Sequence, residues 1–211
     1  MIEYPTILHP SRAPRESCIG FEKLDGSNIR VKYTTKKGFS LFGSRTQLFD
    51  EKHPHLGESI NIFYKKYEKS LLGMIEKYWP NEREIVAFLE FFGKKSFAGL
   101  HEENDPKDLV LFDLMIGHKN RKFLLPQEFV KICRKSNVEI PQVLYIGNFN
   151  EQLIEDVRSG KYPVIEGMIC KGTERTGAAR GNVWMAKIKT RNYLELLKQR
   201  FGEKEAEKYG E

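Results

Sequence analysis

Lys23 lies in Glu22-Lys23-Leu24-Asp25-Gly26-Ser27-Asn28, at the end of one strand-like segment and just ahead of a Gly-Ser turn. A neutral lysine amine attacks phosphorus, but the ammonium that dominates at neutral pH does not. Such a lysine needs nearby positive charge or desolvation to lower its pKa. Lys187 and Lys189 could supply that charge, because they alternate in Trp184-Met185-Ala186-Lys187-Ile188-Lys189 and project to one face of a strand. Glu90, in Phe88-Leu89-Glu90-Phe91-Phe92-Gly93, and Glu166, in Ile165-Glu166-Gly167-Met168-Ile169, are set within apolar strands. An unpaired carboxylate is costly there, and a metal or ribose partner would relieve the cost. Arg45 follows a Gly43-Ser44 turn, and Phe112 lies in the apolar run Leu111-Phe112-Asp113. Taken singly, each feature has a plain alternative. Lys-x-Asp-Gly fits a hairpin turn, Lys-x-Lys the wet face of an edge strand, Glu90 and Glu166 a solvent face, Arg45 an exposed loop and Phe112 core packing. Strand alternation sets Asp113 on the face opposite Phe112.

The elements that must position these groups are legible as periodicities. Cys18–Leu24, Asn28–Thr34 and Phe39–Gly43 predict an antiparallel meander; Ile29, Val31 and Tyr33 alternate with Arg30, Lys32 and Thr34. In His55–Tyr78 the residues Leu56, Ile60, Phe63, Tyr67, Leu71, Ile75 and Tyr78 recur at steps of three and four, an amphipathic helix ending before Pro80. Glu84–Phe92 and Leu109–Ile116 are apolar enough for central strands and flank an acidic surface loop, HEENDPKD. Helices are expected from Pro126 to Ser136, over Glu151–Arg158 and over Asn192–Lys208; strands over Val164–Lys171 and Val183–Lys189. The fold class is α+β, layered rather than doubly wound. One domain over residues 1–211 is expected, with 190–211 as a C-terminal helix.

With 40% hydrophobic and 30% charged residues, the 211-residue chain can bury a core, which excludes a disordered protein. Its apolar runs are strand-length, far short of a membrane span, and MIEYPTILHP lacks the order of a signal peptide, so a cytosolic protein is expected. Cys18, Cys133 and Cys170 have no metal-type spacing and read as reduced thiols. A net charge of +6 fits a polyanionic partner without demanding one.

Taken in order, the segments around Lys23, Arg45, Glu90, Phe112, Glu166 and Lys187/Lys189 resemble motifs I, Ia, III, IIIa, IV and V of the covalent nucleotidyltransferases. That superfamily holds DNA ligases, RNA ligases and mRNA capping enzymes. The resemblance covers residues 22 to 189. It implies a nucleotidyltransferase (ATP-grasp-like) domain of antiparallel sheets flanked by helices. It also implies ATP as cofactor, with AMP bound covalently to Lys23, and Mg²⁺ or Mn²⁺. Lys23 would be the nucleophile, and Lys187 and Lys189 would contact the α-phosphate. Glu166 would hold the metal, and Glu90 would act on the ribose or the metal network. Arg45 would contact the ribose, Phe112 would stack on adenine, and Glu22 would reach the adenine edge. Magnesium keeps several waters and takes few carboxylates, which suits so sparse a donor set.

Gly26-Ser27-Asn28 resembles the Lys-x-x-Gly-Ser/Thr-Asn pattern of RNA ligases, not the Lys-x-Asp-Gly-x-Arg of DNA ligases. Only Thr190 to Glu211 follow motif V, too short for the OB domain of DNA ligases and capping enzymes. The phage and editing type of RNA ligase therefore fits best. Three steps are implied: adenylation of Lys23, transfer of AMP to an RNA 5′-phosphate, and attack by a 3′-OH. The expected partners are RNA ends or a nicked duplex, with an accessory protein or domain for the second step and no membrane. Lys94, Lys95, Arg175 and Arg180 are candidates to line the polynucleotide path. The alternatives are a minimal DNA ligase, a GTP-using capping enzyme and a non-catalytic nucleotide- or RNA-binding module.

Overall fold

Among the described residues, ten strands and five α-helices carry or flank the residues singled out above. The computed structural model describes residues 3–94, 101–102, 104–118, 121–175 and 183–203. In chain order the elements begin with β1 (Ser17–Lys23), β2 (Ser27–Thr34), β3 (Gly38–Gly43), β4 (Leu48–Phe49) and α1 (Glu58–Phe63). A π turn (Tyr64–Glu68) leads into α2 (Lys69–Tyr78), β5 (Glu84–Phe92), β6 (Asp108–Ile116), β7 (Lys122–Phe123) and α3 (Pro126–Lys135). Then come β8 (Val143–Asn148), α4 (Glu151–Arg158), β9 (Gly167–Gly172), β10 (Met185–Lys189) and α5 (Arg191–Phe201). The α+β class holds, with two antiparallel sheets flanked by helices. Among the described residues no helix is long and apolar enough to cross a membrane. The three cysteines are free and buried.

The chain divides into two compact units, Met1–Pro5 with Gly26–Ile140 and Thr6–Asp25 with Pro141–Glu211. The boundary at Asp25/Gly26 corrects the expected meander. β1 pairs with β8 and β9, whereas β2 pairs with β3 and β5. Alternation marks a strand from its own residues, but the choice of partner is non-local. Residues 204–208 of the expected last helix lie outside the described residues, as do Lys95 and Arg180.

In the first unit the strand order is β4-β3-β2-β5-β6-β7. One face carries Ile29, Val31, Leu89 and Leu111, all buried, on the helical side. Phe63 packs edge-on against Phe39 and Phe42 at 5.1 and 5.5 Å. Tyr67, 1% exposed, accepts from the Leu111 amide at 3.2 Å through its hydroxyl and lies 3.0 Å from the Leu109 carbonyl oxygen. The single expected helix is interrupted by the π turn, and its spacing explains why. Phe63, Tyr67, Leu71 and Ile75 follow at successive steps of four, longer than the 3.6 residues of an α turn. A turn closed by i→i+5 bonds absorbs the surplus and keeps all four apolar side chains buried. The opposite face carries Asn28, Arg30 and Lys32 beside Glu90, Phe88 and Val86.

In the second unit the order is β10-β9-β1-β8. Cys18, Met168, Cys170, Ala186 and Ile188 form one core with Leu153, Ile154 and Val157 of α4. The other face of this sheet alternates out of that core and bears Phe21, Lys23, Ile169, Lys171, Lys187 and Lys189. β9 begins at Gly167, later than the expected Val164, so Glu166 immediately precedes the strand instead of sitting inside it. The edge strand β8, with Ile146 73% exposed, has no counterpart among the strands expected from periodicity.

Candidate active site

Lys23 ends β1 and lies directly across from Gly167, which on its other side lies across from Lys189. A Cβ at residue 167 would meet the Ile188 carbonyl oxygen at 1.9 Å, so only glycine allows β9 and β10 to approach this closely. The two lysines thus flank a position without a side chain, and both reach back to Glu166. Lys23 Nζ donates to Glu166 Oε2 at 2.8 Å, and Lys189 Nζ lies 3.1 Å from Glu166 Oε1. Glu166 is 3% exposed, so this carboxylate is satisfied by two ammonium groups and not by solvent.

Thr190 fixes the backbone of this cluster. Its amide donates to the Glu166 carbonyl at 2.9 Å, and its hydroxyl donates to the Ile165 carbonyl at 2.9 Å. The same hydroxyl accepts from the Tyr193 amide at 3.1 Å, capping α5. The outer edge of β10 is held by Leu8, which donates to Met185 O at 2.8 Å and accepts from the Lys187 amide at 3.1 Å. Burial pushes the Lys189 ammonium below its usual pKa; Glu166 opposes that shift and Lys23 adds to it. The arrangement therefore crowds two lysine ammonium groups onto one buried carboxylate, which disfavours the charged form of Lys189.

Lys187 is half-buried on the same face as Lys23 and Lys189, across from Ile169. Lys171 shares that face and was not a candidate from the sequence. It is 4% exposed, with its Nζ 5.2 Å from the centre of the Phe21 ring. The signal was present: Gly167, Ile169 and Lys171 alternate as Lys187 and Lys189 do. Glu22 sits one residue before Lys23, so alternation sets it on the other face, across from Met168. Its carboxyl is half-buried and pushed up by burial.

The remaining candidates belong to the first unit. Asn28 pairs with Glu90 across β2 and β5. Its Oδ1 is buried and, among the described residues, has no hydrogen-bond partner. A buried acceptor left unmade costs roughly 1–3 kcal/mol, so a ligand donor is the natural complement. Arg45 is exposed in the turn closed by Ser44 N to Gln47 O at 2.8 Å. Lys94 and Arg175 are half-buried, the first in this unit and the second in the other.

Phe112 is the extra residue of a β-bulge. Phe88 pairs with Asp113 and Leu89 with Leu111, and Phe112 falls between the two pairs. The bulge corrects the expected orientation of Asp113, whose pairing with Phe88 places it on the Glu90 face. Tyr4 covers both residues of the bulge. Its ring meets Phe112 edge-on at 5.1 Å, and its hydroxyl donates to Asp113 Oδ2 at 2.8 Å. Burial raises the Tyr4 pKa well above the usual phenol value, and Asp113 and Glu90 add to the rise. Nothing in the local sequence around Tyr4 signals this role. Tyr4→Phe keeps the ring contacts and deletes a bond to a charged acceptor. The expected loss is about 1.5–3 kcal/mol of stability, read as a lower urea midpoint at unchanged slope. An unchanged midpoint would show that the phenol adds nothing.

The sequence profile of the RNA ligase family matches residues 16–189. The chain belongs to the RNA ligase family. Among solved structures, a mutant of the Naegleria gruberi RNA ligase with ATP and Mn matches with a TM-score of 0.69 and 17% identity, covering 94% of this chain and 59% of that one. Another mutant of that ligase, with AMP and Mn, gives 0.63 and 18%, covering 89% and 53%. A putative ATP-dependent DNA ligase from Aquifex aeolicus gives 0.64 and 17%, covering 92% and 51%. These likenesses establish a shared ligase fold. This family member spans about half the length of such structures, 53% in the case with AMP. No curated protein matches the chain in sequence.

Proposed function

We propose that residues 1–211 form an ATP-dependent adenylation domain of RNA-ligase type, in which Lys23 becomes covalently linked to AMP and passes it to an RNA 5′-phosphate. The observation that carries this reading is the Lys23–Glu166–Lys189 cluster, supported by the family membership and by the ATP and AMP held by the Naegleria ligase structures.

In the first step Lys23 Nζ attacks the α-phosphorus of ATP. The N–P bond forms as the bond to the pyrophosphate oxygen breaks, and the lysine must shed a proton. Glu166 Oε2, 2.8 Å away, is the group placed to receive it. Lys187 and Lys189 neutralise the charge that builds on the α-phosphate. Mg²⁺ or Mn²⁺ would supply further charge compensation on the phosphates; the Naegleria structures contain Mn, and a single Glu166 oxygen suits an ion that keeps several waters. Glu90 is the second proposed metal or ribose ligand. Asn28, Arg45 and Phe112 are proposed nucleotide contacts, with the Asn28 oxygen and the Phe112 face offering polar and stacking complements; Glu22 is the proposed contact of the adenine edge. The setting proposed is cytosolic RNA repair, with RNA ends or a nicked duplex as substrate and an accessory protein or domain assisting the second step.

Incubation with α-labelled ATP or GTP, followed by a denaturing gel, tests the first step. A covalent band with ATP alone is expected. Absence of any band would leave a binding module, and a band with GTP would favour a capping enzyme. The likeness to a putative DNA ligase gives a second reading its footing. Protein adenylated beforehand is therefore offered nicked duplexes that differ only in the sugars flanking the nick. Faster sealing at an RNA 3′-OH is expected, since the 2′-hydroxyl both donates and accepts hydrogen bonds. Equal or faster sealing of the all-DNA nick would promote the DNA ligase. Adenylation with no sealing would assign the later steps to a further domain or partner.

A further inference from the structure

At the end of the six-stranded sheet opposite Ser27, four chain segments converge. Thr34 pairs with both Gly38 and Glu84, and Ile116 pairs with Lys122. Thr35 N donates to Arg83 O at 3.2 Å, and Gly117 N to Glu84 O at 3.0 Å. This rim exposes Lys36, Lys37, Arg83, Arg121 and Lys122, together with His118. Beneath them Glu84 is 5% exposed and sits among three basic side chains. Its Oε2 is 2.7 Å from Lys32 Nζ and 3.3 Å from His118 Nδ1, and its Oε1 accepts from Arg121 at 3.0 Å.

This differs from a scatter of surface lysines. A buried carboxylate is expensive, and here it ties Lys32 of β2 to Arg121, the residue before β7, with the His118 ring beside them. Burial pushes the Glu84 carboxyl up, but Lys32 and Arg121 outweigh it and hold the group below its usual range. Glu84 thus stays charged and keeps Arg121 and Lys32 in place. Glu82, half-buried, adds a second negative charge. The rim and Lys32 then set six Lys and Arg residues against two glutamates, so positive charge is left over for a partner. A guanidinium has five N–H donors in a planar fork, so the bond to Glu84 leaves donors suited to phosphate oxygens. From β3 to β7 the rim crosses four strand spacings, about 20 Å, enough for several phosphates of one polynucleotide.

We propose that this rim is a polynucleotide-binding site that grips the RNA backbone without reading sequence, with Glu84 as the residue that positions Arg121 and Lys32. The proposal rests on the ligase reading of the chain and deepens it by locating a contact for the nucleic acid. Contacts of this kind carry affinity through counterion release and carry no sequence information.

The test uses the full chain carrying Lys36→Glu, Lys37→Glu, Arg121→Glu and Lys122→Glu together. Self-adenylation, measured without nucleic acid, should match the unsubstituted protein, which also shows that the variant is folded. Its affinity for a nicked RNA duplex, by fluorescence anisotropy, should fall at least tenfold near 100 mM salt. The slope of log K against log salt should shrink by about 0.7–0.9 for each phosphate that the variant no longer neutralises. A pair of half-variants, at Lys36/Lys37 and at Arg121/Lys122, should each give part of both effects. Glu84→Gln should weaken binding even though it makes the chain more positive; tighter binding would overturn the positioning role. Unchanged affinity and slope in the fourfold variant, with adenylation intact, would overturn the rim as an RNA site and leave it to an acidic protein partner. Failure of the unsubstituted protein to adenylate would instead count against the ligase reading itself.

Discussion

Lys23→Ala and Lys23→Arg proteins should both give no ATP-dependent covalent band. Arginine is the sharper of the two because it preserves what a structural role would need. Lys23 donates to a Glu166 carboxylate that is nearly excluded from solvent, and an arginine can pair with that carboxylate. Its guanidinium keeps its proton at any working pH, so the nucleophile is lost while the charge remains. Lys23→Ala removes one of the two ammonium groups on Glu166 and leaves Lys189 as the other, 3.1 Å away. Some loss of stability is therefore expected for alanine and little for arginine. Thermal unfolding of both variants beside the labelling gel separates folding from chemistry. Robust labelling of Lys23→Ala at another lysine would sink the assignment of the nucleophile.

The second large effect concerns the partners of that lysine. Glu166→Ala and Lys189→Ala should each slow adenylation by about 10²–10³, the cost of removing one preorganised electrostatic group from a site where charge develops. The pH dependence should distinguish the two. Lys189 is already pushed below the usual lysine pKa by burial, and Glu166 is the main group that opposes that shift, ahead of Asp25. Without Glu166 the Lys189 pKa drops further, so Lys189 loses its proton at a lower pH than before. The alkaline limb of the Glu166→Ala rate profile should then move to lower pH, because the α-phosphate loses its cation sooner. Lys189→Ala has no such group to titrate and should lack that displacement. Rates near those of the unsubstituted protein in both variants would show that this cluster does not serve adenylation.

How much of this is legible in the sequence depends on the range of the interactions concerned. The lysine of Lys-x-Asp-Gly, the Lys187/Lys189 alternation and the strand at Ile29–Tyr33 are local patterns, and local periodicity is enough to place side chains on one face of an element. Glu84–Phe92 and Glu151–Arg158 have the boundaries that periodicity predicts, for the same reason. Glu166 is recognisable as a candidate, although not as the residue just ahead of a strand. Only the packing of β9 against β10 requires glycine next to it.

The sequence by itself singled out the candidate residues for the proposed chemistry and marked which faces of which elements are apolar. Tertiary structure alone decided the rest. The separation of β1 and β2 into different sheets depends on competition among strand partners far apart in the chain. The Phe112 bulge exists only in the register between β5 and β6, and that register turns Asp113 toward Tyr4, 109 residues away in sequence. The Glu84 hub likewise joins β2, β5 and the residue that precedes β7. Cross-strand register and the burial of charge are properties of paired segments, so no window of sequence that contains only one partner can specify them.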